Sequence, residues 1–373
     1  MEITVSRGAL LHELTATQGV IERKTTIPIL SNFLFEAAGD TLAITATDLD
    51  LGLRTSCRAE VKKEGACTIP ARKLFDYVKL LPDGDVSLKL LDNHWVSIRA
   101  GRSSTKMVGM ARANFPALPN FPSVGVVRIP AQTLRTMIAR TIFAISNEDS
   151  RYTLNGALLV LKPESIAMVA TDGHRLAHIE NTKEKFDVSA ERRPLIPKKA
   201  MHELMTLLQQ GEPEYLEFAE DEASLFFRVG GRLLTARKLT GQFPNYEAVL
   251  PRENNKFVVM QCEDITSAIQ RVSQFADERS GAIRLKLDNN EVRLLANSNE
   301  AGEAEDVIET SYQSDPLTIG FNSQYLLDFL KAVSAGEVRL ELKDAQSAGQ
   351  LRPNENGDGA EFHYRYVVMP MRI

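Results

Sequence analysis

The sequence is poor in the features that mark exported, membrane-spanning or zinc-binding proteins. Its 373 residues include only three cysteines, Cys57, Cys67 and Cys262, and no C-x-x-C pair. Neither a disulfide framework nor a zinc knuckle is therefore supported, and a reducing compartment fits best. Apolar runs such as 156–161 fall far short of the ~18–20 residues that a membrane span needs. Because no basic segment followed by an apolar core stands at the start, we expect a cytoplasmic protein without a membrane anchor.

Catalytic signatures are missing as well. The sequence contains no G-x-x-x-x-G-K-[ST] phosphate loop, no G-x-G-x-x-G fingerprint, no H-E-x-x-H zinc helix and no G-x-S-x-G elbow. His202 and Glu203 begin like a zinc helix, but Thr206 stands where the second ligand would be. We therefore predict no catalytic residue, no metal and no cofactor. Because catalytic groups can converge from distant segments, a DNA-processing nuclease or hydrolase stays open as an alternative. Its acidic residues would be Glu300, Glu303 and Glu305.

The net charge argues against binding nucleic acid through the whole surface. The chain carries 44 basic and 49 acidic residues, for a formal charge of −5. Bulk electrostatics would repel DNA or RNA, so any contact with phosphate must be made by a local group of cations.

The chain repeats itself. The landmark pairs, in chain order, are Thr47-Asp48 with Thr171-Asp172, Ile69-Pro70 with Ile196-Pro197, and Phe115-Pro116 with Phe243-Pro244. The two members of each pair lie 124 to 128 residues apart, and the segment 316–342 continues the pattern into a third, fainter copy. We therefore predict three units, 1–122, 123–250 and 251–373.

Each unit shows two helical patterns and several alternating strands. Apolar stripes at i, i+3, i+4 spacing pass through Leu74 and Val78, through Met201 and Leu204, and through Leu326 and Leu330. Period-two stretches such as 42–48 and 224–230 lie between the helices and are typical of half-buried antiparallel strands. The predicted fold is α+β, with three repeated units, each of two helices packed on antiparallel sheet.

Two segments carry more than a structural pattern explains. Asp172-Gly173 is a natural tight turn, but His174 and Arg175 follow it directly; an ordinary hairpin with a solvated arginine remains open. The apolar end 364–373 must be held against something, because chain ends are usually polar and frayed. It fits either a last strand or an adaptable groove for partner peptides.

The chain resembles a known family, the bacterial β sliding clamps, which are the processivity subunits of DNA polymerase III. The motifs that carry the resemblance are 25–37, 151–159, 170–177, 241–251, 319–330 and 366–373. The resemblance covers the entire length. It implies a non-catalytic homodimer whose six units form a head-to-tail ring around duplex DNA. The ring would bind DNA without sequence preference and would be located at the nucleoid. The implied partners are the clamp loader, the DNA polymerase III alpha subunit, translesion polymerases, ligase and mismatch-repair proteins.

The resemblance also implies three sets of site residues. A pocket for short partner peptides would use Leu154, Thr171, Gly173, His174, Arg175, Leu176, Pro244, Val249, Asn322, Tyr325, Val367, Val368, Met369, Pro370, Met371 and Arg372. Candidates for phosphate contact are Lys24, Arg72, Lys73, Arg135, Arg140, Arg151, Tyr152, Lys198 and Lys199. At the dimer seam, Thr105 and Met107 should meet Gln274 and Phe275 of a second copy.

The sequence also departs from the family pattern. Ala248 stands where some relatives have a basic residue, and Ser280 where an aromatic can occur, so the pocket rim could select different peptides. The segment 349–364 is predicted as a long loop rich in glycine and acidic residues. A scaffold that binds peptides but never encloses DNA is the third hypothesis, and it would use the same pocket.

Overall fold

The computed structural model describes residues 1–22, 25–148, 150–211, 213–354 and 360–372. Within them the helices are α1 (Arg7–Thr17), α2 (Ala71–Leu80), α3 (Ala131–Thr141), α4 (Lys198–Gln209), α5 (Cys262–Val272) and α6 (Ser323–Val333). None of these described helices is long and apolar enough to cross a membrane.

The strands alternate with these helices along the chain. In the first third they are β1 (Glu2–Ser6), β2 (Asn32–Ala38), β3 (Thr41–Thr47), β4 (Leu51–Arg58), β5 (Glu60–Lys63), β6 (Gly65–Pro70), β7 (Asp85–Leu90), β8 (Trp95–Ala100) and β9 (Ser103–Val108). Next come β10 (Val127–Pro130), β11 (Gly156–Lys162), β12 (Ser165–Thr171), β13 (Arg175–Asn181), β14 (Leu195–Pro197), β15 (Tyr215–Glu220), β16 (Ser224–Val229) and β17 (Arg232–Arg237). The last are β18 (Lys256–Gln261), β19 (Ala282–Asp288), β20 (Glu291–Ser298), β21 (Gly302–Glu309), β22 (Leu317–Asn322), β23 (Glu337–Leu342), β24 (Gly349–Pro353) and β25 (His363–Val368).

In the described residues these strands form four antiparallel sheets. Sheet A has the order β5-β1-β7-β8-β9, and sheet B has the order β10-β15-β16-β17-β4-β3-β2-β6. Sheet C has the order β14-β11-β12-β13-β25-β24-β23-β18, and sheet D has the order β21-β20-β19-β22. Two half-sheets recur three times in these orders. One is β1-β7-β8-β9, repeated as β10-β15-β16-β17 and β18-β23-β24-β25; the other is β6-β2-β3-β4, repeated as β14-β11-β12-β13 and β22-β19-β20-β21.

The chain divides into two compact units, which do not coincide with the repeats. Unit 1 comprises Met1–Arg135 and Lys199–Lys238, and unit 2 comprises Thr136–Lys198 and Leu239–Ile373. Sheets A and B belong to unit 1, and sheets C and D belong to unit 2. Sheets B and C each join a half-sheet of one repeat to a half-sheet of the next, through β17 on β4 and β25 on β13. Backbone pairing thus crosses the repeat boundaries.

The helical stripes supply the core beneath the sheets. Leu74 and Val78 of α2 are fully buried in unit 1, where α1 packs against α2. Phe329 and Leu330 of α6 are buried in unit 2, where α5 packs against α6. The predicted α+β fold, with repeated units of helices on antiparallel sheet, is confirmed. The predicted loop over 349–364 is partly wrong, because Gly349–Pro353 pair between β23 and β25 as strand β24.

A buried ion pair ties a helix to a sheet in unit 1. The Arg232 guanidinium of β17 donates to both carboxylate oxygens of Glu13 in α1, at 2.9 and 3.0 Å. Arg232 also donates to Gln210 at 2.8 Å, and the Thr55 hydroxyl donates to Glu13. Burial works against the charge on Glu13, but the bonds from Arg232 and Thr55 keep its pKa below the ordinary value. The pair therefore fixes where α1 lies on sheet B.

Candidate functional site

The turn between β12 and β13 is fixed by its own side chains. The Asp172 carboxylate accepts from the backbone N–H groups of His174 at 2.9 Å and Arg175 at 3.0 Å. The Thr171 hydroxyl donates to the Arg175 carbonyl at 2.6 Å and accepts from Gly173 N–H at 3.1 Å. Gly173 has φ +91°, a conformation that side-chain-bearing residues rarely adopt. The T-D-G-H-R sequence therefore presents His174 and Arg175 at one defined place.

Arg175 is bonded within the chain on every side of its guanidinium. Its Nε donates to Asp172 at 2.9 Å, Nη1 donates to Asp328 of α6 at 2.5 Å, and Nη2 donates to the Phe143 carbonyl at 2.6 Å. The side chain is only 10% exposed. We therefore interpret Arg175 as the residue that holds the turn, α6 and the segment around Phe143 together.

Two tyrosines complete the surroundings of this arginine. The guanidinium lies 4.4 Å from the ring centre of Tyr325, and Tyr366 Oη is 3.4 Å from Nη1. Tyr366 donates in turn to the Tyr325 carbonyl at 2.9 Å. Burial alone would lower the pKa of Arg175, but Tyr366, Asp328 and Asp172 outweigh it and hold that pKa above its ordinary value. Arg175 is therefore a permanent cation in this position.

A small apolar pocket of about 140 Å³ opens beside the turn. It is lined by Leu154, Thr171, Gly173, His174, Arg175, Leu176, Pro244, Tyr246, Val249, Val367 and Met369. Val249 and Met369 are 43% and 45% exposed, which leaves an uncovered apolar rim. Ten of these residues are among the predicted set. Tyr246 was missed, although it stands between the predicted Pro244 and Val249.

The other six predicted pocket residues lie around this cavity without lining it. Asn322 caps α6 by accepting from Gln324 N–H and Tyr325 N–H, and its amide donates to the Ser280 carbonyl at 3.0 Å. Val368 is fully buried in β25. Met371 forms a backbone bridge to Gly320, with Pro370 and Arg372 on either side of it. Met369 N–H donates to the His174 carbonyl at 2.9 Å, so the chain end is strand-paired on one side and open to the pocket on the other.

The first repeat contains the same turn with different side chains around it. Asp48 accepts from the N–H groups of Asp50 and Leu51, as Asp172 does in the second repeat. Yet Asp50 takes the place of His174, and the strand register puts Arg237 where Met369 stands. The same turn therefore occurs at both junctions. The surroundings of the turn are apolar at the second junction, because the side chains there differ.

Three predicted phosphate-contact residues lie on helices with exposed or half-exposed charges, and a fourth lies in an exposed turn. Arg72 and Lys73 lie on the outer face of α2, where Arg72 is 3.9 Å from Asp76. Arg135 lies on α3, and Tyr152 is 71% exposed in the turn Tyr152–Leu154. Lys24 lies outside the described residues. Lys73 has no ion pair among the residues that the structure describes, so its charge is available to a ligand.

Other predicted phosphate-contact residues are engaged inside the chain. Lys199 pairs with the buried Asp48 carboxylate, and Arg151 donates to the Asp172 carbonyl at 2.7 Å. Arg140 lies 5.4 Å from the ring centre of Tyr364, and burial lowers its pKa. Lys198 donates to Asn147 at 2.7 Å, and burial lowers its pKa as well. These contacts give each of the four a structural role.

The predicted seam residues lie at or near the ends of sheets A and D. Thr105 and Met107 are half-buried on β9, one of the two edge strands of sheet A. Gln274 and Phe275 lie in the 3₁₀ turn Ser273–Phe275 that follows α5. One of the two edge strands of sheet D is β21, which carries the acidic residues Glu303 and Glu305. Each of these sheets therefore ends in a strand with one unpaired side.

The acidic residues of the nuclease alternative lie on one hairpin. Glu303 and Glu305 are on β21, and Glu300 is in the turn before it. Glu305 accepts from Arg293 at 2.5 Å. Across the described parts of the chain, no group of three or more His, Cys, Asp or Glu side chains is arranged to hold a metal ion.

Known families and structures resemble this chain along its whole length. Three consecutive stretches match the DNA polymerase III beta subunit: residues 1–119 its N-terminal domain, 128–245 its central domain and 247–372 its C-terminal domain. The Beta sliding clamps of Pseudomonas putida and Escherichia coli are 35% and 33% identical to it, with 100% of both chains covered. The chain belongs to the beta sliding clamp family.

Solved clamp structures agree with this assignment. The DNA polymerase III subunit beta of Pseudomonas aeruginosa superposes with a TM-score of 0.94 at 34% identity, and all of both chains is covered. A sliding clamp from Bartonella birtlesii bound to griselimycin gives the same two values. The predicted family and clamp fold are thus confirmed. This clamp is a processivity factor of DNA polymerase III that works with DNA and polymerase, and its family supports a non-catalytic role.

Proposed function

We propose that two copies of this clamp close head to tail into a ring around duplex DNA. The observation that carries the proposal is the pattern of strand pairing at the repeat junctions. The strands β17 and β25 close each of the internal junctions by pairing with β4 and β13. By the same repeat, β9 corresponds to β17, and β21 corresponds to β4 and β13. Both β9 and β21 are edge strands, and exposed edges invite pairing with another chain.

Charge complementarity supports the same seam. The exposed side chain on β9 between Thr105 and Met107 is Lys106, whereas β21 carries Glu303 and Glu305. Pairing β9 of one copy with β21 of the other would bring these opposite charges together and cover Met107 and Phe275. Two such seams would give one closed ring of six repeats. Each copy would contribute three repeats, close to residues 1–122, 123–250 and 251–373.

The DNA contacts of this ring would be few and independent of base sequence. Arg72 and Lys73 on α2, with Arg135 on α3, are the cations best placed to meet phosphates, because the structure leaves their charges exposed or half-exposed. A sliding ring needs phosphate contacts that exchange quickly, and a sparse set of exposed cations provides them. The family resemblance also suggests Lys24, Arg140, Arg151, Tyr152, Lys198 and Lys199 as secondary candidates for phosphate contact.

The pocket beside Gly173 and Met369 would hold a short peptide that contains glutamine with apolar and aromatic residues. Its apolar wall can bury side chains at ~25 cal/mol per Å², and His174 lies at its edge. The clamp loader, the DNA polymerase III alpha subunit, translesion polymerases, ligase and mismatch-repair proteins would compete for it. Such tethering raises the local concentration of each enzyme at the DNA without chemistry by the clamp, which would act in the cytoplasm at the nucleoid.

A matched pair of variants tests the pocket. Met369→Asp should weaken binding of a fluorescein-labelled peptide of that composition at least tenfold, because it puts a charge on the apolar rim. Arg237→Asp makes the same residue at the equivalent position of the first junction and should leave affinity unchanged. Deleting 369–373 should abolish binding while the dimer persists in sedimentation. Wild-type affinity in Met369→Asp would contradict the pocket assignment.

A further inference from the structure

A buried histidine lies behind the apolar pocket. His178 is on β13, two residues beyond Leu176, so both side chains point to the same face of sheet C. His178 is 8% exposed. Its ring is stacked on the ring of Tyr246, with 5.6 Å between the ring centres and 27° between the planes. Titratable side chains are rarely buried. The pocket contacts described above do not explain why His178 is.

Tyr246 connects this histidine to the peptide pocket. The tyrosine is 6% exposed and lines the pocket together with Val249. Val249 N–H donates to the Tyr246 carbonyl at 3.0 Å, which closes the short turn Tyr246–Ala248. A shift of Tyr246 would therefore carry part of the pocket wall with it.

The stack with His178 is one of the contacts that hold the Tyr246 ring; the Arg193 guanidinium also lies 5.8 Å from the centre of that ring. A second cavity of about 200 Å³ is lined by His178, Tyr246 and Leu250, among others. Protein interiors are close-packed, so a cavity of this size beside a ring leaves space into which the ring can move. Within the described residues, Nδ1 of His178 is buried without a hydrogen-bond partner, so ring packing is the main interaction that this side chain offers.

We propose that His178 is a positioning residue for the peptide pocket: its imidazole holds the Tyr246 ring in place and thereby sets the shape of the apolar wall. The proposal rests on the peptide-binding function proposed above. It extends the binding site to a residue that touches no ligand.

The stack depends on the imidazole being neutral. The charged groups around the same cavity are Glu180 on β13, Lys162 on β11, Arg365 on β25 and Glu247 in the linker, while β12 contributes only uncharged side chains. The pKa of His178 is lowered to about 4, mainly by burial and also by the nearby Arg365, while Glu180 and Glu247 act in the opposite direction. The stack is therefore intact at neutral pH and is disrupted by protonation only in acid.

Peptide titrations by fluorescence anisotropy on the full-length clamp test this role. His178→Phe keeps a ring and should bind the peptide within about twofold of wild type. His178→Ala removes the ring and should lose three- to tenfold. Ile179→Ala is the control, because Ile179 is equally buried on the other face of the same strand and should weaken the fold without changing affinity. Wild-type affinity in His178→Ala, or an equal loss in Ile179→Ala, would overturn the proposal.

Two further readouts separate positioning from general stability. In a Tyr246→Ala background, His178→Ala should cause no further loss of affinity, because its effect passes through the missing ring; additive losses would contradict that. Between pH 7 and 3.5, affinity should fall more steeply in wild type than in His178→Phe, and parallel profiles would contradict the neutral stack. No binding by wild type would overturn the pocket itself, and the positioning role would fall with it.

Discussion

Replacing Arg175 by lysine tests whether the turn beside the pocket is held by a buried guanidinium. Arg175 bonds two carboxylates, Asp172 and Asp328, and the Phe143 carbonyl at the same time. A lysine keeps the charge, but its single ammonium cannot span these three acceptors with the geometry of a planar fork. Arg175→Lys therefore changes the number of bonds and little else.

The expected cost follows from the bonds that are lost. Hydrogen bonds to charged groups contribute roughly 1.5–3 kcal/mol each, and at least two of the three would be broken or lengthened. The side chains of Asp172 and Asp328 are 15% and 22% exposed, so water recovers part of the loss. We expect Arg175→Lys to lower the free energy of unfolding by about 2–4 kcal/mol and to weaken peptide binding at least tenfold.

Arg293→Lys is the matched control. Arg293 also bonds two carboxylates, Glu291 at 2.7 Å and Glu305 at 2.5 Å, but its side chain is 39% exposed. Exposed ion pairs contribute little to stability, so this variant should unfold almost as wild type does. Urea unfolding followed by circular dichroism measures both variants. Equal, small shifts in the two would refute the assignment of Arg175 as the buried tie of the turn.

Three other outcomes follow from the structure. Arg232→Ala should destabilise the clamp by about 3–5 kcal/mol in urea unfolding, because it leaves the Glu13 carboxylate buried without its partner. As pH drops from 6.5 to 4, the free energy of unfolding of wild type should fall by up to about 3 kcal/mol relative to that of His178→Phe. The reason is that His178 binds a proton at a higher pH in the unfolded chain than in the folded one. Lys106→Glu should weaken dimerisation in sedimentation equilibrium, and adding Glu305→Lys should restore it, if β9 meets β21.

Local patterns made much of the fold predictable. The apolar stripes through Leu74 and Val78, and through Leu326 and Leu330, are buried as expected, because helical periodicity is written in consecutive residues. Helix α3 ends at Thr141, and Ile142 begins a 3₁₀ turn. Strand partners were not predictable in the same way. Strand β17 of the second repeat pairs with β4 of the first repeat. This pairing depends on contacts between distant segments, which cannot be predicted from a local pattern.

The candidate site shows the same division between local and distant information. The turn at Asp172 and the apolar chain end were visible in the sequence, and they lie together in the structure. The roles of individual cations were not visible. Lys199 and Arg151 looked like free charges, yet each reaches a specific acceptor, the Asp48 carboxylate and the Asp172 carbonyl. Those acceptors stand 151 and 21 residues away in the chain.

The most direct test of the account is topological. The purified protein should be loaded by its clamp loader onto nicked circular DNA, washed at salt high enough to suppress simple phosphate binding, and followed before and after the DNA is linearised. The account predicts that the protein stays on the circle and is lost when linearisation creates free ends. Equal retention on both forms, or equal loss from both, would contradict a closed ring.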